Sequence, residues 1–382
     1  MIKRVLLWSL CFCLLLSGCQ TVKEPTSLEK WLKSAGLDEM ETPEDLYEKA
    51  LNEGVLTIYT VSSRVMDVAE SFQKQYPGLQ VEVIYTRAEE LVGEITEAAA
   101  SGENKCDLVF CTNGDGSLTE NLIPAGLVYK YLPQDIQGKM LPGGNEDYLS
   151  ILLEVPLLAY SSEYYNTPPI ENWWELTEPE WKGKLYITNP MRSMISYTLF
   201  STMLQKEALM EQAYLERYGT AFVPEKGEGA SKAFLRKLVE NGLVIVNDSD
   251  DVADAIAKPG APSNAVGVLN ASKLRLCESG YSLMMSYDIQ PFAGVINPAN
   301  IMMVGGAQNV NAAKLFIRWI LGEADGTGEG YKPFLQQGAW PSRSDVESPS
   351  RPLNSFEVLY TDEAYASAHR DEFVTFWEML LQ

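Results

Sequence analysis

The chain has 382 residues, 46% of them hydrophobic, with 8 Trp and 19 Tyr, which is enough to bury two packed lobes. Its 30 Lys and Arg stand against 52 Asp and Glu, a formal net charge of −22, and so argue against nucleic acid, whose phosphates need basic patches. One histidine, His369, and no G-x-x-x-x-G-K-[ST] motif argue against Ser–His–Asp or Cys–His catalysis, histidine metal clusters and P-loop nucleotide hydrolysis.

The first nineteen residues, MIKRVLLWSLCFCLLLSGC, place Lys3 and Arg4 before an apolar core at 5–16 that is too short to span a bilayer. Leu16-Ser17-Gly18-Cys19 then matches the lipoprotein signal pattern. This predicts a signal segment over 1–19 ending at a lipidated Cys19, whose acyl chains bury enough CH₂ groups to hold the body at a membrane, outside the cytoplasm. The remaining thiols, Cys106, Cys111 and Cys277, have neither disulfide nor zinc spacing, and the first two flank an apolar run and read as core.

Residues 20–53 hold a polar tether and two capped helices, 27–37 and 42–52, the second with Thr42 ahead of Pro43. GVLTIYTVSSRVMDVAESFQKQYPG follows from Gly54. It predicts a strand at 55–59, a polar loop at 60–63, and a helix with Val65, Val68, Ala69 and Phe72 on one face, stopped by Tyr76-Pro77-Gly78. Ser62 or Ser63 is the expected N-cap, and a second strand is expected at 79–85. The polar loop therefore lies at a strand's carboxyl end, where ligands bind in open α/β sheets, beside helix N–H groups that suit an anion. A helix at 89–100 and a strand at 105–112 lead to Thr112-Asn113-Gly114-Asp115-Gly116, a second polar loop expected to face the first across one cleft.

The apolar run 149–160 contains Pro156, which is awkward in a central strand, and reads as the chain crossing between lobes. A strand at 184–188 ends in the turn NPMRSMISY, ahead of a long helix to about residue 214. Arg192 in that turn can grip a phosphate or carboxylate bidentately or stand as a surface ion pair, and the residues alone leave both open. A helix at 231–240, a strand at 243–246, a helix at 248–257 and strands at 265–269 and 282–286 complete the second lobe. Asp248, Asp250 and Asp251 read as helix capping because they lack the spacing and closing Glu of a calcium loop. Residues 287–298 return the chain, then come a helix at 311–321 and two acidic closing helices. The expected lobes are 54–153 with 287–382 (including those C-terminal helices), and 154–286. Strands alternating with helices predict an α/β fold with parallel sheets.

The lipobox, VLTIYT, the YPG turn, CDLVF, EVPLLAYSSEYYN, ENWWELTEPEWKGKLYITNP, PFAGVINP, NAAKLFIRWIL and QQGAWPSRSDV occur in that order. The ordered set, spanning residues 54–346, resembles the type II extracellular solute-binding proteins of ABC importers, in their ferric-iron, thiamine, phosphonate and sugar-phosphate branch. The resemblance implies a two-lobed, hinged fold with two crossing strands and a central cleft, a non-enzymatic monomer without cofactor or resident metal, and an ABC permease as partner. It places the ligand on loops of both lobes: Ser62, Ser63 and Arg64; Thr112 and Asn113; Asn189, Arg192, Ser193 and Ser196; Tyr287 and Asp288. The last pair is carried by the resemblance alone.

Iron-binding members of that branch typically offer a histidine or acid in the first loop and paired tyrosines from the second lobe. Here the first loop is Ser62-Ser63-Arg64, and only Tyr197 stands in the NPMRSMISY turn. Hydroxyls, amides and arginines beside helix starts instead suit a small anionic, phosphorylated molecule. The competing readings are a ferric-iron carrier, a sensor subunit for a membrane kinase, and an extracellular carboxylate-based hydrolase, for which no stretch singles out two acids.

Overall fold

A computed structural model describes residues 26–141, 147–224, 227–261, 263–323, 325 and 327–382, with backbone alone at 88–89. The signal segment and Cys19 lie outside the described residues. Strands β1 (Leu56–Thr60), β2 (Val81–Tyr85), β3 (Leu108–Thr112), β4 (Val128–Tyr129) and β5 (Leu149–Glu154) start the first sheet. Strands β6 (Pro156–Ser161), β7 (Leu185–Thr188), β8 (Val244–Val246), β9 (Val266–Asn270) and β10 (Leu283–Ser286) form the second. Strands β11 (Gly294–Val304), β12 (Ala339–Pro341) and β13 (Val358–Tyr360) return to the first.

The first sheet runs β12-β5-β11-β3-β1-β2, with β4 and β13 also paired to β11, and the second runs β10-β6-β9-β7-β8. In the first, β1 lies parallel to β2 and β3, while β11 runs antiparallel to β3 and β5. In the second, β7 lies parallel to β8 and β9, and β6 runs antiparallel to β9 and β10. The chain crosses between sheets twice here. Val155 joins β5 to β6 beside Pro156, and residues 287–293 join β10 to β11. Pro156 is tolerated because it opens its strand, where the missing N–H is least costly.

Helices cover both sheets. In chain order they are α1 (Ser27–Ala35), α2 (Pro43–Ala50), α3 (Arg64–Gln75), α4 (Ala88–Ser101), α5 (Gln134–Gln137), α6 (Met194–Gln205), α7 (Glu207–Tyr218), α8 (Ala230–Glu240), α9 (Ser249–Ala257), α10 (Val310–Ile320), α11 (Glu363–Ala368) and α12 (Arg370–Leu380). Capping boxes start α1 and α2, where Thr26 pairs with Glu29 and Thr42 with Asp45. On α3 the expected stripe, Val65, Val68, Ala69 and Phe72, is buried, and Gly78 at φ +99° turns the chain after it. Phe72 meets Phe316 of α10 edge to face at 5.2 Å, tying two helices over one core.

The single helix expected to about residue 214 is two, broken at Lys206, whose ψ of 45° leaves the helical range. Glu207 explains the break: its carboxylate accepts from the amides of Ala230 and Ser231, capping α8, which re-aims α7 toward that helix. Trp173 and Trp174 are fully buried and donate to the Phe292 and Met210 carbonyls, so Trp173 fastens the second lobe to the returning crossover and Trp174 holds α7. Cys106 and Cys111 are buried free thiols, each pushed up to about 12 by burial. The C-terminal segment straddles the lobes. β13 pairs with β11, α11 packs on the π-helical turn Ser117–Leu122 of the first lobe, and Phe373, Phe376 and Trp377 of α12 join the second lobe's core. Among the described residues no helix is long and apolar enough to cross a membrane.

Candidate functional site

The carboxyl ends of strands from both sheets meet at one gap: Val61–Arg64 after β1, Tyr85–Arg87 after β2, Thr112 ending β3, Glu154 ending β5, Thr188–Asn189 at β7, Asn247–Asp248 after β8 and Asn270 ending β9. Parallel pairing with right-handed crossovers puts the helix-leading loops on this one edge of each sheet. Two adjoining cavities fill the gap, of about 660 and 390 Å³.

Seven of the eleven residues singled out from sequence reach these walls. Asn189, Arg192 and Ser193 line the larger cavity, Ser62, Ser63 and Arg64 the smaller, and Thr112 lines both. The other four line neither. Side chains alternate along a strand, so with Thr112 facing the gap, Asn113 turns inward; it is fully buried and accepts from the Leu118 amide at 2.7 Å. Ser196 is also fully buried, its hydroxyl 2.9 Å from that of Thr188. Tyr287 packs against Phe356 at the hinge, and Asp288 is held bidentately by Arg351 at 2.8 and 2.9 Å, an ion pair that keeps its carboxyl below the usual range.

Glu154, missed in the sequence reading, is the fixed point of the gap. It is 8% exposed, and its oxygens accept from Arg64 Nη2 at 2.5 Å, Asn270 Nδ2 at 2.8 Å and Ser272 Oγ at 3.1 Å. One carboxylate thus joins the start of α3 in the first lobe to the end of β9 in the second. Arg64 also lies over the Phe334 ring at 5.2 Å, yet its Nη1 is buried with no hydrogen-bond partner among the described residues. Asn297 of β11 lines the larger cavity at 4% exposure with its Oδ1 likewise unpartnered. A buried polar atom left unpaired costs about 1–3 kcal/mol, so these two groups are poised for a guest.

The α6 start is open as well. Ser193 caps nothing with its side chain; its hydroxyl accepts from Thr188 at 2.8 Å. Among the described residues the amides of Met194, Ile195 and Ser196 meet no protein acceptor. At α9 the corresponding amides are taken, because Asp248 accepts from Asp250 and Asp251. Neither Ser62 nor Ser63 caps α3 with its side chain.

Five cations, Arg64, Arg87, Arg192, Lys273 and Arg275, line the cavities against three acids, Glu154, Asp248 and Asp250. Lys273 pairs with Asp250 at 2.5 Å, whereas Arg87, Arg192 and Arg275 have no carboxylate partner among the described residues. Burial, aided by the neighbouring charge of Arg64, holds the Arg275 guanidinium below its ordinary range. In a chain of net charge −22, the gap is a positive enclave. Tyr85 is the one tyrosine lining the cavities, and among the described residues no three His, Cys, Asp or Glu gather as a metal site. Tyr197 is fully buried and donates to the Ala366 carbonyl.

A family profile described as bacterial extracellular solute-binding protein matches residues 60–327. No curated protein matches in sequence. Among solved structures, iron-bound HitA from Pseudomonas aeruginosa is similar at 19% identity and TM-score 0.63, over 85% of this chain and 99% of that one. The periplasmic binding protein AfuA from Actinobacillus pleuropneumoniae, with exogenous fructose-6-phosphate bound, is similar at 18% identity and TM-score 0.64, over 85% and 97%. Trichodesmium FutA in complex with iron and citrate is similar at 16% identity and TM-score 0.56, over 86% and 99%.

Proposed function

The chain belongs to the bacterial extracellular solute-binding proteins, and from that premise we propose that it captures a small anionic, phosphorylated solute between its lobes while held to the membrane by lipid on Cys19. As a member of that family it is a binding component that delivers a small ligand to an ABC permease. The observation that carries the anionic reading is the charge of the gap: five cations against three acids within a strongly acidic chain, with Arg192 and the open α6 amides side by side. An anion there gains charge-assisted hydrogen bonds from guanidinium and backbone together, each worth about 1.5–3 kcal/mol.

Two strand crossings form the connection through which the lobes turn, so ligand contacts made by both lobes favour a closed form over an open one. Ferric iron is the reading that HitA and FutA suggest. The lining supports it less, since one phenol, Tyr85, stands free of any carboxylate cluster and Glu154 is already shared among three donors.

Calorimetry tests the choice. Fructose 6-phosphate is expected to bind and fructose not to; binding of fructose with equal affinity, or of ferric ion in preference to the phosphate, would overturn the anionic reading. For the anchor, Cys19→Ser is expected to release the protein into the soluble fraction, and a variant that stays with membranes would refute it.

A further inference from the structure

The cations of the gap fall into two groups. Arg87 and Arg192 line only the larger cavity, while Arg64, Lys273 and Arg275 line only the smaller. The acids Glu154 and Asp248 line both, at the wall the cavities share, together with Asn270 and Thr112, while Asp250 lines only the smaller and is taken up by Lys273. Positive charge therefore sits at two ends, and acceptors sit in the middle. A guest with a single anionic group satisfies one end and leaves the unpaired guanidinium of the other, Arg192 or Arg275, without a counter-charge.

At the first end Arg192, Met194 and Ile195 line the cavity with Asn297, whose buried Oδ1 lacks a partner among the described residues. At the second, Arg64 and Arg275 line the same cavity, where the charge of Arg64 adds to burial in disfavouring that of Arg275 against the opposing pull of Glu154 and Asp250, and Arg275 donates to the Ser272 carbonyl at 3.1 Å. Glu154 offsets Arg64 but leaves Nη1 of that residue buried and unpaired. The charge left without a carboxylate partner at this end is that of Arg275, and a buried charge calls for a counter-charge. In the middle, carboxylate and amide oxygens accept hydrogen bonds and repel anions, which suits hydroxyl groups.

We propose that the cleft is built for a molecule with two anionic groups joined by a hydroxylated spacer, one group held by Arg192 and the α6 amides and the other by Arg64 and Arg275. The chemical class is that of sugar bisphosphates and phosphorylated sugar acids. This rests on the anionic reading above and sharpens it from one charged group to two.

The test compares fructose 1,6-bisphosphate with fructose 6-phosphate and fructose by calorimetry on the full chain, with Arg275→Gln and Arg275→Lys as variants. The bisphosphate is expected to bind at least about tenfold tighter than the monophosphate, a gain of about 1.4 kcal/mol. Arg275→Gln is expected to bring the bisphosphate down to the monophosphate's affinity, whereas Arg275→Lys is expected to keep most of the gain. Equal affinity for the two phosphates, or a gain that survives Arg275→Gln, overturns the two-ended assignment while the anionic reading stands. Fructose binding as tightly as either phosphate, or neither phosphate binding, overturns both.

Discussion

The two ends of the first lobe's sheet handle buried charge in opposite ways. At the amino end, Asp107 is 4% exposed and fully engaged: it accepts from the amides of Thr57, Gln308 and Asn309 and from Asn309 Nδ2, all between 2.9 and 3.0 Å. At the carboxyl end, Glu154 is buried to a similar degree, but its network ends in an unpaired Arg64 Nη1, with Asn297 Oδ1 and the α6 amides unpaired nearby. One end closes its hydrogen bonds within the protein. The other leaves them open toward a cavity. A fold that satisfies its backbone elsewhere tolerates open groups where something from outside completes them.

Asp107→Ala sharpens this contrast most. It strands three backbone amides, and stability measured by urea unfolding is expected to fall by about 3 kcal/mol or more, with ligand affinity unchanged. A weakened affinity at unchanged stability would invert the contrast. Glu154→Gln comes next, because it leaves the Arg64 charge uncompensated. The unliganded protein is expected to lose about 2–3 kcal/mol while anion affinity rises, so added fructose 6-phosphate lifts its melting temperature more than that of the wild type.

Arg192→Ala probes the open end alone. Arg192 is exposed and has no carboxylate partner among the described residues, so stability is expected to stay within about 0.5 kcal/mol while anion affinity falls more than about tenfold, by calorimetry. Unchanged affinity would remove Arg192 from the site. The smallest effect concerns the C-terminal strap. Burial raises the Glu363 carboxyl above its ordinary range, despite a hydrogen bond from Tyr148 at 2.7 Å. A raised folded-state value means the contribution is fully present below the unfolded value, about 4.3, and is lost as pH rises through the folded one. Glu363→Gln is therefore expected to flatten the fall in melting temperature across that window; an identical pH profile would deny the effect.

The alternation of strands and helices was legible along most of the chain, because apolar stripes such as Val65–Val68–Phe72 and breakers such as Pro77-Gly78 speak for themselves. So was the crossing at Pro156, where a proline sits in an unbroken apolar run. The gap was half legible. Loops after strands could be found from position, and they supplied Ser62, Arg64, Thr112, Arg192 and Ser193.

Asn113 and Ser196 lie off the walls because each faces the core, Asn113 one residue past Thr112 and Ser196 in the first turn of α6, a choice made by packing rather than by residue type. Glu154 and Asn297 were missed because each lies in a stretch read as a crossing between lobes, whereas both sit on strands, β5 and β11, that line the gap. The available signal was a lone acid in LSILLEVPLLAY and a pair of amides, Asn297 and Asn300, in GVINPANIMM. Arg275 lay in a stretch, 271–279, whose short helical turns carry no clear period. Lipidation of Cys19 belongs to sequence pattern alone.

Native mass spectrometry of the protein, purified without dialysis and sprayed beside Arg192→Ala, tests the central claim most directly. The account predicts an added mass matching a phosphorylated small molecule on the wild type that is lost from the variant. A bound ferric ion, or a neutral or cationic guest retained by both, would contradict it.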